Sequence, residues 1–402
     1  MSRFKKISTL LILIILIAVY SSWALLRPIS PIKAAINSDV LKPTTLASTI
    51  DWPSAGQSAV GILGTPIINT HFDQTPTPTA STAKLVAALV ILKIKPLGTN
   101  DQGPEITMTP ADVDLYNSYV NEQGSVVRVV NGEQISEYQL LEGMLLPSAN
   151  NMADSLAIWA YGSLSNYSVA ANSYLKSVGI DNTVIGTDAS GFLPSTTSTA
   201  SDLVKIGSIV ANNPVLSGIV SQKSVDNFPV VGSIKNINTL LGSNGVSGIK
   251  TGNSDQAGGV FISSSTINVD DRNITIITAN AASPSLDQVL SSSLPLIQSA
   301  QADIGTTTSL TKGTVIGSYT LPWNKKTINI ELDSSLSGIV WQNGSLSPAI
   351  EQLDKLNGLS RWNQVVGSVS LEGSSVISAN TANLVISGYS QKPPIIWRLL
   401  HP

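Results

Sequence analysis

Cysteine is absent from all 402 residues. That excludes disulfides, thiolate metal sites and a cysteine nucleophile together. Histidine is nearly absent too, with only His71 and His401. A zinc site built on several histidines is excluded, and the chain contains no G-x-S-x-G, so nothing points to a serine–histidine triad. His71 is expected to face solvent or pack near the first hairpin. Charge is sparse: Asp, Glu, Lys and Arg make up 12% of the chain, against about 25% in an average soluble domain. Ser, Thr, Asn and Gln must therefore supply much of the surface. A net charge of −3 gives no basic field for nucleic acid.

What is present begins with a long apolar run. Arg3, Lys5 and Lys6 precede it, and no charge occurs between Lys6 and Arg27. Such a stretch is long enough to cross a bilayer as a helix, and the preceding cations would hold the N-terminus inside. Residues 1–27 are read as a membrane anchor. The alternative is a signal peptide, with Ser22-Trp23-Ala24 as a poor cleavage site. Either reading exports the rest of the chain.

Residues 28–45 carry Pro28, Pro31 and Pro43 without periodicity and read as a linker. A catalytic domain is expected over 46–300. It opens with strands over 58–63 and 67–72 and a helix from Ser81, with Leu85, Ala88, Leu89 and Leu92 along one face. Ser136 and Gln139 have the spacing of a capping box, and the following helix stops at Pro147. A second helix follows it, and another is expected over 199–209. Strands are expected at 248–251, 259–263 and 274–279. Strands at both ends with helices between give an α/β or α+β domain. From about 301 the alternation of Ile328, Ile330 and Leu332 with polar residues marks a small all-β domain, 301–402, with an apolar tail at 395–400.

Three short motifs occur in order: Ser81-Thr82-Ala83-Lys84, Ser148-Ala149-Asn150 and Lys250-Thr251-Gly252. The first pattern, S-x-x-K, is common here, beginning also at Ser2, Ser30, Ser173, Ser247 and Ser309. Only the copy at Ser81 opens an apolar helix after a proline-rich entry. Residues three apart share a helix face, so Lys84 can sit beside the Ser81 hydroxyl. A serine needs a base to become a nucleophile, and a lysine becomes one when burial or a nearby cation lowers its pKa. Lys250 is a candidate for that cation. S-x-N recurs at Ser378-Ala379-Asn380, and a helix cap would also explain the copy at Ser148. K-T-G occurs once; Gly252 would let another backbone approach, and Lys250 offers a charge to a carboxylate. Taken together and in this order, the motifs are the signature of penicillin-recognising serine enzymes.

The chain resembles the low-molecular-mass penicillin-binding proteins of the D-alanyl-D-alanine carboxypeptidase family. The resemblance extends to Ala80–Leu85, to Leu145–Asn151, to Asp188-Ala189-Ser190-Gly191-Phe192, to Ser198–Leu203 and to Gly248–Gly252 with Ala257-Gly258. Asn151 stands where the family has aspartate, a change expected to matter little. The resemblance selects α+β: it implies a β-lactamase/transpeptidase-like catalytic domain, an antiparallel sheet flanked by helices. It implies Ser81 as nucleophile, Lys84 as base, Ser148 as proton relay and Asn150 as support. Lys250, Thr251, Gly252 and Asn253 would bind substrate, with the backbone N–H groups of Ser81 and Asn253 holding the oxyanion. No cofactor is implied. The partners would be peptidoglycan stem peptides, β-lactams as covalent inhibitors and the membrane, outside the cytoplasm.

The expected activity is removal of the terminal D-alanine. A D,D-endopeptidase, a β-lactamase and an inactive wall-binding protein are the alternatives. The intact motifs disfavour the last. Class A β-lactamases use a glutamate between the second and third motifs to position the deacylating water, whereas Asn150 to Lys250 contains no glutamate. Its acidic residues are Asp154, Asp181, Asp188, Asp202 and Asp226.

If Lys250 holds a carboxylate, Lys250→Ala weakens free-acid substrates by about 1.5–3 kcal/mol, roughly tenfold to a hundredfold, and spares amidated ones. Steady-state rates on matched free-acid and amidated peptides measure this; equal losses on both would remove the role.

Overall fold

The computed structural model describes residues 2–341, 344–357, 359–374 and 376–401. The chain forms two compact units. One is continuous, Thr49–Ile304; the other combines Met1–Ser48 with Gly305–Pro402.

The Thr49–Ile304 unit is α+β. Its antiparallel sheet runs in the order Val246–Ser254, Gly258–Val269, Arg272–Ser283, Gln57–Ile62 and Ile68–His71. The first strands in sequence thus pair with the last, and the helices lie between them in the chain. Side chains alternate across a strand, so the sheet serves two layers. Phe261 packs with Val289 and Leu290 of the Leu286–Ala302 helix. Its neighbours Val260 and Ile262 belong to the larger core. There Gly207 of the Ala200–Asn212 helix lies so close to Ile262 and Ile277 that a Cβ would sit 2.9 Å from each.

At the centre of that core is the Ala83–Ile94 helix. Every residue from Ala83 to Leu92 is buried, so it is enclosed on all sides, where an amphipathic helix with one apolar face was expected. Its first turn is tighter than expected: Ala80–Thr82 is a 3-10 turn that leads into the α-helix. The Ser136 capping box is present, with Ser136 Oγ accepting from Gln139 N at 3.2 Å and Gln139 Oε1 accepting from Ser136 N at 3.1 Å. The Glu137–Leu145 and Asn150–Tyr161 helices follow it. Four helices carried no clear signal in the sequence: Pro110–Asn121, Leu164–Ser177, Pro214–Val220 and Leu286–Ala302. His71 lies on the Ile68–His71 strand and stacks on Trp52 with ring centroids 5.3 Å apart.

The other unit is built mainly of β-strands. A seven-stranded sheet runs Ala35–Ile36, Val315–Thr320, Thr327–Leu332, Ala382–Ile386, Val365–Glu372, Gly344–Leu353 and Thr44–Leu46. Ile316, Tyr319, Ile328, Ile330, Val369 and Leu384 form its core. Residues 28–45, expected as a linker, instead supply a strand at each edge of this sheet. The strands are too short for alternation to show in the sequence, and their partners lie about 280 to 300 residues away, as in Ala35↔Ser318 and Gly344↔Leu46. The Ser2–Leu26 helix precedes them; Lys6–Leu26 is long and apolar enough to cross a membrane. The tail forms a short helix, Ile395–Leu400, against its end. There the Tyr20 hydroxyl donates to the Leu399 carbonyl at 2.7 Å, and Arg398 donates to the carbonyls of Leu25 and Arg27.

The Thr49–Ile304 unit therefore starts and stops a few residues later than the catalytic domain expected over 46–300. Thr49 donates to Asp303 from its backbone N (3.0 Å) and its hydroxyl (2.6 Å), and Asp51 N donates to Ser299 Oγ. These bonds staple the two ends of the unit. A fragment of residues 49–304 is expected to melt cooperatively. Ending it at 299 removes the bonds to the Asp303 carboxylate, each worth about 1.5–3 kcal/mol, and lowers the midpoint. Thermal melts of the two fragments measure the difference; equal midpoints would show that the staple contributes nothing.

Candidate active site

Backbone geometry assembles the site before any side chain does. Ala80, at the start of the 3-10 turn, has φ +45°, and Ser148 has φ +69°. Both lie in the left-handed region, which costs a non-glycine residue about 1 kcal/mol or more. Neighbouring segments close tightly on the Ser81 turn. A Cβ on Gly252 would lie 2.8 Å from the Thr79 carbonyl oxygen and 3.1 Å from Ser81 N. One on Gly191 would lie 2.1 Å from the Ala80 carbonyl oxygen. Gly252 belongs to Val246–Ser254, the edge strand of the sheet. The glycine of the third motif is thus required by backbone contact with the first.

Lys84, one helical turn after Ser81, is fully buried. Its Nζ lies 2.8 Å from Ser81 Oγ, 2.7 Å from Asn150 Oδ1 and 2.8 Å from the Ser190 carbonyl oxygen. Burial lowers its pKa to about 7, against Asp188 and Asp154, which raise it. Of the two expected causes, burial or a neighbouring cation, burial is the one that lowers it. A neutral amine has two hydrogens and one lone pair. The Ser190 carbonyl and Asn150 Oδ1 can only accept, so they take both hydrogens. The lone pair is left facing the Ser81 hydroxyl, the geometry in which a lysine accepts a serine proton.

Lys250 is also buried, and its only hydrogen bond among the described residues is to the Thr251 carbonyl at 3.1 Å. Burial, and then the charge of Lys84, pull its pKa well below the usual lysine range. Ser148 Oγ and Thr251 Oγ1 are buried and have no partner among the described residues. Buried hydroxyls in that state are ready to bond a ligand. Ser148 does not cap the next helix: the cap position is Ala149, and Asn150 is the first helical residue. Asn253 is exposed near the end of the edge strand. Hydrogen bonds thus join Ser81, Lys84 and Asn150 directly. Gly252 meets them through the backbone, and Lys250 through its electrostatic coupling to Lys84.

A match to the D-alanyl-D-alanine carboxypeptidase model, peptidase S11, covers residues 64–282, more than half of the chain. The chain belongs to that family. The matched span contains Ser81, Lys84, Ser148, Asn150, Lys250, Thr251, Gly252 and Asn253. The D-alanyl-D-alanine carboxypeptidase DacA of Escherichia coli K12 is 30% identical over 194 residues, 46% of either chain. The chain therefore matches about half the length of that curated relative. Among solved structures, penicillin binding protein 5 from Haemophilus influenzae aligns with a TM-score of 0.60 at 20% identity, covering 86% of this chain and all of that one. A mutant of the Streptomyces K15 DD-transpeptidase aligns at 0.55 and 24%, covering 62% and 98%. The D-alanyl-D-alanine carboxypeptidase from Mycobacterium tuberculosis H37Rv aligns at 0.55 and 25%, covering 64% and 96%. The fold is that of the DD-peptidases.

Two features escaped the sequence reading. Asn151, in place of the family's aspartate, makes a two-sided contact that uses both halves of its amide. It is buried; its Oδ1 accepts Val127 N (3.1 Å) and its Nδ2 donates to the Val127 carbonyl (2.8 Å). The amide thus holds the 124–130 segment, in which Ser125 accepts Asn150 N at 2.7 Å. The second feature is a polar network behind Lys84, formed by Tyr119, Asp154, Asp188 and Ser190. A carboxylate can only accept. Asn151→Asp therefore leaves the Val127 carbonyl unpaired and is expected to destabilise the protein by about 1–3 kcal/mol. Chemical denaturation measures it; an unchanged midpoint would show that the two-sided bond contributes nothing.

Proposed function

We propose that this chain is a serine D-alanyl-D-alanine carboxypeptidase that removes the terminal D-alanine from peptidoglycan stem pentapeptides. The observation that carries the proposal is the three-way setting of Lys84 Nζ, which aims its lone pair at Ser81. In the proposed reaction Lys84 takes the hydroxyl proton as Ser81 Oγ bonds to the carbonyl carbon of the penultimate D-alanine. The backbone N–H groups of Ser81 and Asn253 receive the oxyanion. The C–N bond breaks as Ser148 gives its proton to the departing amine and takes one from Lys84, which becomes neutral again. Water then gives a proton to Lys84 as its oxygen attacks the ester carbonyl, and Lys84 returns that proton to Ser81 Oγ as the ester breaks.

Lys250 and Thr251 hold the terminal carboxylate on this reading. A substrate anion supplies the counter-charge that favours protonation of a buried lysine, so binding draws a proton to Lys250. With Lys6–Leu26 as a membrane anchor, the catalytic unit works outside the cytoplasm. β-Lactams enter as substrate mimics that form the same ester. The absence of glutamate between Asn150 and Lys250 favours slow release of that ester, since the opened β-lactam keeps its second ring attached where D-alanine would have left.

Incubation with penicillin should add one acyl group to the intact protein, with peptide mapping placing it on Ser81 and Ser81→Ala abolishing it. The same preparation should release D-alanine from a pentapeptide and turn nitrocefin over slowly. Rapid sustained nitrocefin turnover without D-alanine release would overturn the reading in favour of a β-lactamase; cleavage confined to cross-linked muropeptides would favour an endopeptidase.

A further inference from the structure

Asn150 and Asp154 are four residues apart on the Asn150–Tyr161 helix, so they share a face. Asn150 bonds Lys84. Asp154, one turn on, is buried and carries a carboxylate that none of the three motifs requires. Its Oδ1 accepts Ala189 N at 2.9 Å, and its Oδ2 accepts the Tyr119 hydroxyl at 2.6 Å. Both bonds lead to the segment that serves Lys84. Ala189 precedes Ser190, whose carbonyl accepts from Lys84. The Tyr119 hydroxyl lies 3.3 Å from Ser190 Oγ, which donates to Asp188 Oδ2 at 2.6 Å. Asp188 Oδ2 also accepts Phe192 N at 2.8 Å, and Phe192 meets the Tyr119 ring edge-on at 5.5 Å.

We propose that Asp154 is a positioning residue for Lys84: it clamps the 188–192 segment that presents the Ser190 carbonyl to the amine, and it places a counter-charge behind that amine. Its surroundings fit the role. Lys84 is the cation facing it from the Ala83–Ile94 helix. Tyr119 faces it from Pro110–Asn121, with Asp112 held one residue along by Ser155. Tyr167 faces it from Leu164–Ser177, and Asp188 from the clamped segment. Burial raises Tyr119 beside Asp154, so the phenol stays a donor. Burial raises Asp154 to about 6, with the Tyr119 and Ala189 bonds opposing it. Asp154 is therefore mostly charged at neutral pH and favours the protonated form of Lys84.

The sign of the effect distinguishes this role from a structural one. Asp154→Asn keeps an acceptor for Ala189 N but removes the charge, so Lys84 loses its proton more easily. The test is NMR of the protein carrying 13Cε-lysine, with the Lys84 signal assigned by its loss in Lys84→Arg. Wild type should titrate near 7, and D154N about one unit lower. Ser81 acylation by penicillin at pH 7, where Asp154 is charged, should then be about twofold faster in D154N, where loss of a purely structural contact would slow it. Tyr119→Phe removes a bond that favours the charged carboxylate and should shift the midpoint down by less, which keeps the test available if D154N does not fold. An unchanged Lys84 midpoint in the folded variant overturns the proposal. The rate effect rests on the carboxypeptidase reading, but the titration does not: failure of that reading would appear as no acylation in either protein, with the difference in midpoint intact.

Discussion

One constraint governs this active site: an amine must stay dry and still be held by exactly enough acceptors. Lys84 is buried away from bulk solvent, and this burial brings its pKa to about 7. With two acceptor-only oxygens on one side and the Ser81 hydroxyl on the other, loss of the proton leaves a directed lone pair. The two acceptors come from different parts of the chain, so the surrounding fold must hold two segments against one helix. The all-round burial of the Ala83–Ile94 helix follows from this. A helix exposed on one side would leave the amine open to water.

The close backbone contacts serve the same end. Gly252 and Gly191 let the edge strand and the Ser190 segment meet the Ser81 turn at distances that any side chain would prevent. Ser148 and Ala80, both buried, are held in left-handed backbone geometry. Such local strain persists only where the surroundings impose it. Here those surroundings are the enclosed helix and the sheet edge. Lys250, Thr251 and Ser148 then present buried polar atoms with few or no partners, and binding of a ligand is what would satisfy them.

The parts of this arrangement visible in the sequence are those encoded over a few residues. The i,i+3 spacing of Ser81 and Lys84, the Ser136 capping box and the alternation from Ile328 to Leu332 each need only one turn or one strand. The glycine of K-T-G was legible as a point of close approach, though its partner was not. Long-range pairing was less legible. Residues 35–46 form strands only because their partners lie across the whole catalytic unit, and prolines made the region look like a stalk. Asp154 went unread because its meaning depends on Tyr119 and Ala189, on two separate segments. Asn151 looked like a neutral exchange because its donor half matters only beside the Val127 carbonyl.

The pairing of residues 35–46 with strands beyond 315 makes the catalytic unit an insertion, joined to the rest of the chain by two covalent connections. A protease that nicks the polypeptide near residue 48 leaves the catalytic unit bonded to the C-terminal strands, and these still grip the N-terminal segment through the seven-stranded sheet. A nick near residue 305 leaves it bonded to the apolar helix directly. Separating the Thr49–Ile304 unit from the Ser2–Leu26 helix therefore takes two cleavages, or one cleavage and the unzipping of a β-sheet. An enzyme strung on a single stalk would be lost at the first cut.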